Sequence, residues 1–357
     1  MPPWSRFLFE ITVTMCLTVP VVCAYFGLTS SEHSITLVRG NSVVDRTSKP
    51  KTSTDECGLL KLTRRQRKLC TRGLGMAATL QDAIRLSQME CEYQFRFERW
   101  NCSLGRRSVL QKGFKETSFL HAISSAGLVH SVSRACSMGQ LSQRCTCDQS
   151  QNAFITRQAW KYGGCGDNIR YGQKFAKRFL RAAKKLGADV RAKVDEHNTA
   201  TGIKIVQDGV IEKCKCHGIS GSCAVQTCWK QLVPFHKIGD ILKKKYETAT
   251  RVVINANNAK GKVTLLKKKK NAKNPIPKSS SLVYIEKSPS FCKRTKYSDG
   301  TKGRQCKKHT NCASICCGRG YNVKSRIVTK ACECQVIWCC QVKCKKCTSK
   351  EEIFLCK

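Results

Sequence analysis

Acidic residues are scarce in this chain. Among its 357 residues, 24 Asp and Glu stand against 65 Lys and Arg, a formal charge of +41. That excess excludes a surface neutralised from within and implies polyanionic partners. Long apolar runs are scarce as well. The one that stands out is N-terminal, MPPWSRFLFEITVTMCLTVPVVCAYFGLTS, and its unbroken part after Glu10 is about 14 residues, short of the roughly 20 a bilayer-spanning helix needs. With Arg6 ahead of it and Val22-Cys23-Ala24 behind, it reads as a signal peptide, residues 1–24, cleaved before Tyr25. No other segment is apolar enough to cross a membrane, so a product soluble outside the cell is expected. No internal repeat of fixed period is present, which excludes a stacked-repeat architecture.

Cysteine is what the chain has in abundance, 26 in all. Removing residues 1–24 takes away Cys16 and Cys23 and leaves an even 24, twelve between Cys57 and Cys228 and twelve between Cys292 and Cys356. In a chain with an export signal this density reads as a disulfide framework, because thiols pair in oxidising compartments and stay reduced in the cytosol. Each half can pair within itself, as two separately stapled domains require.

The first half is helical in pattern. Apolar residues recur at three- and four-residue steps in MAATLQDAIRLSQMECEYQFRF (Met76, Leu80, Ala83, Ile84), and similar periodicity runs through FKETSFLHAISSAGLVHSVSRAC and FAKRFLRAAKKLGADVRAKVDEH. Such stripes must bury one another, which predicts a helical bundle pinned by bridges over residues 57–241, behind an N-terminal extension at 25–56. Residues 242–285 are basic, with Lys243–Lys245 and a tetralysine at 267–270 ahead of Asn-Pro-Ile-Pro, and read as a linker region, exposed in part. Residues 286–357 hold twelve Cys and short alternating runs such as SRIVTK and ECQVIW, which suggest hairpins held by bridges in place of a core. The fold class is α+β and disulfide-rich.

The tightest motif is CKCHGISGSCAVQTC at 214–228. If Cys214 pairs with Cys228 and Cys216 with Cys223, the stretch becomes a closed hairpin with Ser220 at its tip, flanked by Gly218 and Gly221; spacing alone also allows other pairings. An exposed, rigidly presented hydroxyl is something another protein can modify or grip. A hydrolase nucleophile would need Gly-x-Ser-x-Gly at a strand-to-helix turn, with His217 the obvious base, but one glycine is out of register here. A zinc site from Cys214, Cys216, His217 and Cys223 has an odd ligand spacing, and export favours disulfides over thiolates. The bland reading is a stapled loop with no further role.

The same string resembles the signature of the Wnt family of secreted signalling lipoproteins. RFERWNCS at 96–103, GFKETSFL at 113–120, CGDN at 165–168, TCW at 227–229, CCGRGY at 316–321 and CQVIWCCQVKC at 334–344 also look like family blocks in family order, from about Cys57 to the end. YFGLT and SPSFC are most similar to the ninth subgroup. The resemblance implies that a membrane O-acyltransferase esterifies Ser220 with a palmitoleoyl chain. It also implies that Ile337, Trp338, Cys339 and Cys340 form a second receptor-binding tip in a cystine-knot-like C-terminal domain, and that both tips hold the cysteine-rich domain of a Frizzled receptor. A low-density-lipoprotein-receptor-related co-receptor and a Wnt carrier protein are the further partners implied; no cofactor, metal or catalytic residue is. The implied pairing is Cys91 with Cys102, Cys136 with Cys145, Cys147 with Cys165, Cys214 with Cys228 and Cys216 with Cys223. In the second half it is Cys292 with Cys317, Cys306 with Cys312, Cys316 with Cys356, Cys332 with Cys347, Cys334 with Cys344 and Cys339 with Cys340, which leaves Cys57 and Cys70 for each other.

Asn101-Cys102-Ser103 is the one glycosylation acceptor motif found, its middle residue a Cys expected to be bridged. Outside the cell the polyanions on offer are heparan sulfate and anionic lipid heads, with no nucleic acid to meet. Lys243–Lys245 and Lys267–Lys270 are candidate contacts, and retention in the extracellular matrix would follow. The functional reading is a secreted, non-enzymatic ligand; the alternative is a lipid-independent, heparin-binding matrix protein.

Overall fold

The computed structural model describes residues 24–25, 36–37 and 56–357, with gaps at 59, 61, 103–106, 142, 150–153, 156–159, 183–189, 258–261, 269–275 and 338–340. The expected signal peptide, except Ala24, and most of the expected 25–56 extension lie outside the described residues. The helices among them are α1 (Arg64–Cys70), α2 (Met76–Gln94), α3 (Lys115–Ser137), α4 (Ile169–Ala182), α5 (Val190–Asp208), α6 (Phe235–Glu247) and the short α7 (Cys312–Ile315). The strands are β1 (Ala24–Tyr25), β2 (Thr36–Leu37), β3 (Phe154–Ile155), β4 (Trp160–Gly163), β5 (Val210–Cys216), β6 (Val225–Leu232), β7 (Thr250–Asn257), β8 (Lys262–Lys267), β9 (Val283–Tyr284), β10 (Gln305–Cys306), β11 (Tyr321–Ile337) and β12 (Gln341–Cys356).

Helix α3 is the axis of the bundle. Every residue from Glu116 to His130 is buried, and α2, α4, α5 and α6 all pack on it. A helix enclosed on every side cannot show a clean polar stripe, so small residues set its neighbours' distances instead. Gly127 lets α2 approach through Ala83 and Ser87, a Cβ on Gly172 of α4 would lie 2.8 Å from the Val129 carbonyl, and a Cβ on Gly202 of α5 would overlap the Ala122 carbonyl. Aromatic rings close one end: Phe95 meets Trp100, Phe119 and Tyr246 edge-on at centroid distances of 5.0, 4.9 and 4.9 Å.

One sequence expectation is refined and another changes. The periodicity over 175–197 belongs to two helices, α4 ending at Ala182 and α5 starting at Val190, and both rest on α3. Region 242–285 is not a bare tether either. Leu242 is a fully buried core residue inside α6, so a boundary there cuts a helix. The branched and apolar residues of RVVI and KVTLL then form an antiparallel β7–β8 hairpin, and β9 runs parallel to β7. Val252 packs with Val283 and with Val194 of α5. Asn198 of α5, itself fully buried, donates its amide to the Val283 carbonyl and accepts the Val283 N–H, both at 2.9 Å. The main core consequently runs from Cys57 to Phe291.

The C-terminal region has a core of Cys306, Cys312, Ile315, Cys316 and Cys356, which is mostly cystine. It docks on the bundle through arginines. Arg304 donates to the carbonyls of Arg99 (2.6 Å) and Arg96 (3.1 Å) just beyond α2, and Arg99 donates in return to the Ser314 carbonyl at 2.9 Å. Arg319 gathers the region internally, reaching the Lys357 and Cys292 carbonyls and the Thr301 hydroxyl. Eleven disulfides are formed among the described residues. Six lie in the helical region: 57–70, 91–102, 136–145, 147–165, 214–228 and 216–223. Five lie in the C-terminal region: 292–317, 306–312, 316–356, 332–347 and 334–344. The expected Cys339–Cys340 bond lies outside the described residues.

Two outcomes follow for stability, both measured by denaturant unfolding of the oxidised protein. Gly202→Ala forces α5 off the Ala122 carbonyl and is expected to cost about 1–3 kcal/mol or more. Glu116 accepts the Ser288 hydroxyl and, at 2.9 Å, the Tyr246 hydroxyl, yet burial outweighs these bonds and raises its carboxyl pKa above the ordinary 4.5. A carboxyl with a raised folded pKa contributes stability that is full below the unfolded value and is lost as pH rises through the folded one. Glu116→Gln therefore gains on the wild type as pH rises from 4.5 to neutrality, and a difference that does not change with pH would contradict this.

Candidate functional site

The loop singled out by the sequence is the far end of the β5–β6 ribbon, with Val210 opposite Leu232 and Cys214 opposite Cys228. Its root is a built joint. Gly166 lies so close to β6 that a Cβ would come 2.6 Å from the Lys230 carbonyl. Asp167 accepts the Leu232 N–H (2.8 Å) on one oxygen and the Ser137 hydroxyl, at the end of α3, on the other (2.7 Å). Asn168 then accepts the Tyr171 N–H at 2.9 Å in the first turn of α4. The Cys-Gly-Asp-Asn run is thus what ties the ribbon to the bundle, a role that sequence reading missed although Asn ahead of an amphipathic stretch is a helix-start signal. On the other side β4 runs parallel to β6, with Gly163 opposite Cys228.

Beyond the joint β5 is the edge of the sheet and has nothing packed on it: every residue from Ile211 to Lys215 is exposed. With no packing on its outer side, β5 is clamped to β6 by the bridges 214–228 and 216–223. Between the bridges the backbone closes on itself, His217 N–H donating to the Val225 carbonyl (2.7 Å), Gly218 N–H to Ser222 (2.9 Å) and Gly221 N–H to Gly218 (2.9 Å). Gly218 is needed there because a Cβ would run into the Ser222 side chain. Ser220 sits at φ 56°, ψ 26°, in the left-handed region that side chains rarely adopt, and Gly221 follows at φ 77°. Ser220 is exposed, and its neighbour Ile219 is 93% exposed.

Chemically this is an unhindered primary alcohol at a fixed place, suited to accept a group from an outside enzyme. A hydrolase elbow would put the serine between a strand and a helix, whereas Ser220 crowns a hairpin. All four cysteines are bonded to one another, so the tip offers no thiolate to a metal.

At the other candidate tip, β11 and β12 pair from Tyr321–Cys356 to Ile337–Gln341, with an irregularity between Cys332 and Gln335 where Glu333 has φ 46°. Ile337 is exposed at the last rung; Trp338, Cys339 and Cys340 lie outside the described residues. Asn101 is half-buried between Trp100 and the bridged Cys102, which are both buried. Lys243, a candidate glycan contact, is already engaged: its ammonium binds Glu98 at 2.8 Å and lies over the Phe95 and Tyr246 rings. Lys244 is exposed, while Lys269 and Lys270 lie outside the described residues.

Known proteins share this architecture. A profile described as the wnt family matches residues 58–357. Protein Wnt-9a of Gallus gallus is 51% identical over 340 residues, 94% of each chain, and protein Wnt-9b of Homo sapiens is 49% identical over 346 residues, 96% of each. A chain from the solved structure of human WLS in complex with WNT8A aligns with a TM-score of 0.58 at 30% identity, across 86% of this chain and 100% of that one. With a profile match over most of its length, relatives of the same span and a shared solved fold, the chain belongs to the Wnt family of signalling ligands.

Proposed function

We propose that this ligand is secreted with a palmitoleoyl chain esterified to Ser220 and that it binds the cysteine-rich domain of a Frizzled receptor through that chain. The observation that carries the reading is the posture of Ser220: exposed, held in a left-handed turn and braced by two bridges on a ribbon that stands off the bundle. A chain attached there starts from an exposed position on a loop that the bridges keep from folding back into the body. Burying about ten methylenes in a receptor groove at ~0.8 kcal/mol each contributes roughly 8 kcal/mol before ordering costs, a micromolar-scale contact by itself. A second contact, from Ile337 at the end of β11 together with Trp338, Cys339 and Cys340 next in sequence, turns this into a two-point grip. A low-density-lipoprotein-receptor-related co-receptor joins the complex to start signalling.

A membrane O-acyltransferase supplies the acyl group during export. A carrier then shields it, a step supported by the likeness to a chain solved in a WLS–WNT8A complex. The charge of +41 favours heparan sulfate and retention in the extracellular matrix. In this reading the ligand catalyses nothing; the acyltransferase does the chemistry at Ser220.

Ser220→Ala is expected to keep all disulfides and lose at least a hundredfold in affinity for the receptor domain, about 3 kcal/mol or more, with the acyl mass absent from the 214–228 peptide. Material from culture medium that is unacylated at Ser220 and signals at full strength would overturn the reading. Cys216→Ala with Cys223→Ala opens the tip while leaving the outer bridge, and acyl occupancy by peptide mass spectrometry is expected to fall sharply; undiminished occupancy would show that the inner bridge has no part in presentation.

A further inference from the structure

Acidic residues are absent altogether from three stretches that the fold brings together: 57–81, 117–147 and 168–188. They carry α1, most of α3 with the loop after it, and α4. Buried Gln66 of α1 donates its amide to the Phe179 carbonyl of α4 at 3.4 Å. The loop around Arg72 is held to the loop after α3 by Arg144, whose Nε donates to the Arg72 carbonyl at 2.5 Å and whose stem passes 3.0 Å from the Cβ position of Gly73. Asn168, at the start of α4, donates its amide to the Thr146 carbonyl at 2.8 Å, which ties α4 to the same loop after α3. Arg67, Lys68, Arg72, Lys174 and Arg178 are all exposed here, and none of them takes part in the ion pairs formed among the described residues.

The face also holds two exposed apolar side chains, Leu74 (58% exposed) and Met138 (56%). Their loops touch, since a Cβ on Gly75 would lie 2.5 Å from the Gln140 carbonyl. Met138 directly follows Ser137, whose hydroxyl holds Asp167 and through it the root of the β5–β6 ribbon. The basic face and the ribbon that carries Ser220 therefore spring from the same end of α3.

We propose that this face docks on anionic lipid headgroups, with Leu74 and Met138 entering the interface among the basic side chains. Its purpose rests on the reading that Ser220 is acylated: one acyl chain holds a membrane only marginally, and stable retention takes a second signal such as a basic patch. Each Lys or Arg close to an anionic surface strengthens binding about fivefold. A sulfated glycan would use the charges and leave the two apolar side chains idle, whereas a lipid interface uses both, and that favours the membrane.

The test measures co-sedimentation of the full-length secreted protein with vesicles of phosphatidylcholine alone and of equal parts phosphatidylcholine and phosphatidylserine, beside retention on a heparin column. The wild type is expected to prefer the anionic vesicles. Lys174→Glu with Arg178→Glu is expected to lower anionic binding at least about tenfold, leaving neutral-vesicle binding unchanged. Leu74→Ser with Met138→Ser is expected to weaken anionic-vesicle binding several-fold while heparin retention stays as it was. Near-UV circular dichroism checks that both variants, altered only at exposed positions, are folded. An anionic preference that survives the charge reversal overturns the proposal. So does unchanged vesicle binding by the Leu74/Met138 variant, which would assign the face to a glycan. If the wild type ignores neutral vesicles yet still prefers anionic ones through this face, the acylation reading fails and the docking face stands.

Discussion

Helix α3 is enclosed on all sides, and the placement of the β5–β6 ribbon depends on that enclosure. From Glu116 to His130 it offers no residue to solvent, so each partner helix is positioned by how closely it can approach this one rod. Gly127, Gly172 and Gly202 fix those approaches. At its far end Ser137 meets Asp167, and through that carboxylate the packing of the core is transmitted to the ribbon. A tip with no core of its own is thus aimed by the most buried element of the fold.

The parts of this arrangement that a sequence shows are those written in local spacing. The closely set cysteines of 214–228 and the periodicity of 76–94 and 115–137 are such signals, and both were legible. What stayed hidden depends on partners distant in the chain. The division between α4 and α5 follows from two helices sharing α3, which one continuous period does not reveal. Strands β7 to β9 lie in a lysine-rich stretch, and what anchors them to the bundle is buried Asn198 and Val194, far away in sequence. Lys243 looked like part of an exposed basic run until Glu98 and two aromatic rings claimed it. Asp167 was legible as part of a family block but not as a joint, since its two donors come from residues 30 and 65 positions away.

A chain with so few carboxylates cannot rely on ion pairs, and it uses guanidinium groups differently. Arg99, Arg144, Arg251, Arg304 and Arg319 all donate to backbone carbonyls. Arginine suits this because its planar fork carries five donors and is more weakly hydrated than an ammonium. The positive charge is thereby divided into a structural share, which satisfies the ends of helices and loops, and an exposed remainder, part of it on α1 and α4.

The grip of Arg304 has a thermodynamic corollary. The carbonyls just past α2 face a cation supplied by a segment more than two hundred residues downstream, which favours the helix terminus electrostatically as well as by hydrogen bonding. Neither portion can reach its lowest free energy alone. The two cystine-rich halves, each stapled by its own disulfides, are therefore held to each other by non-covalent contacts, which a denaturant can dissolve while the bridges within each half persist.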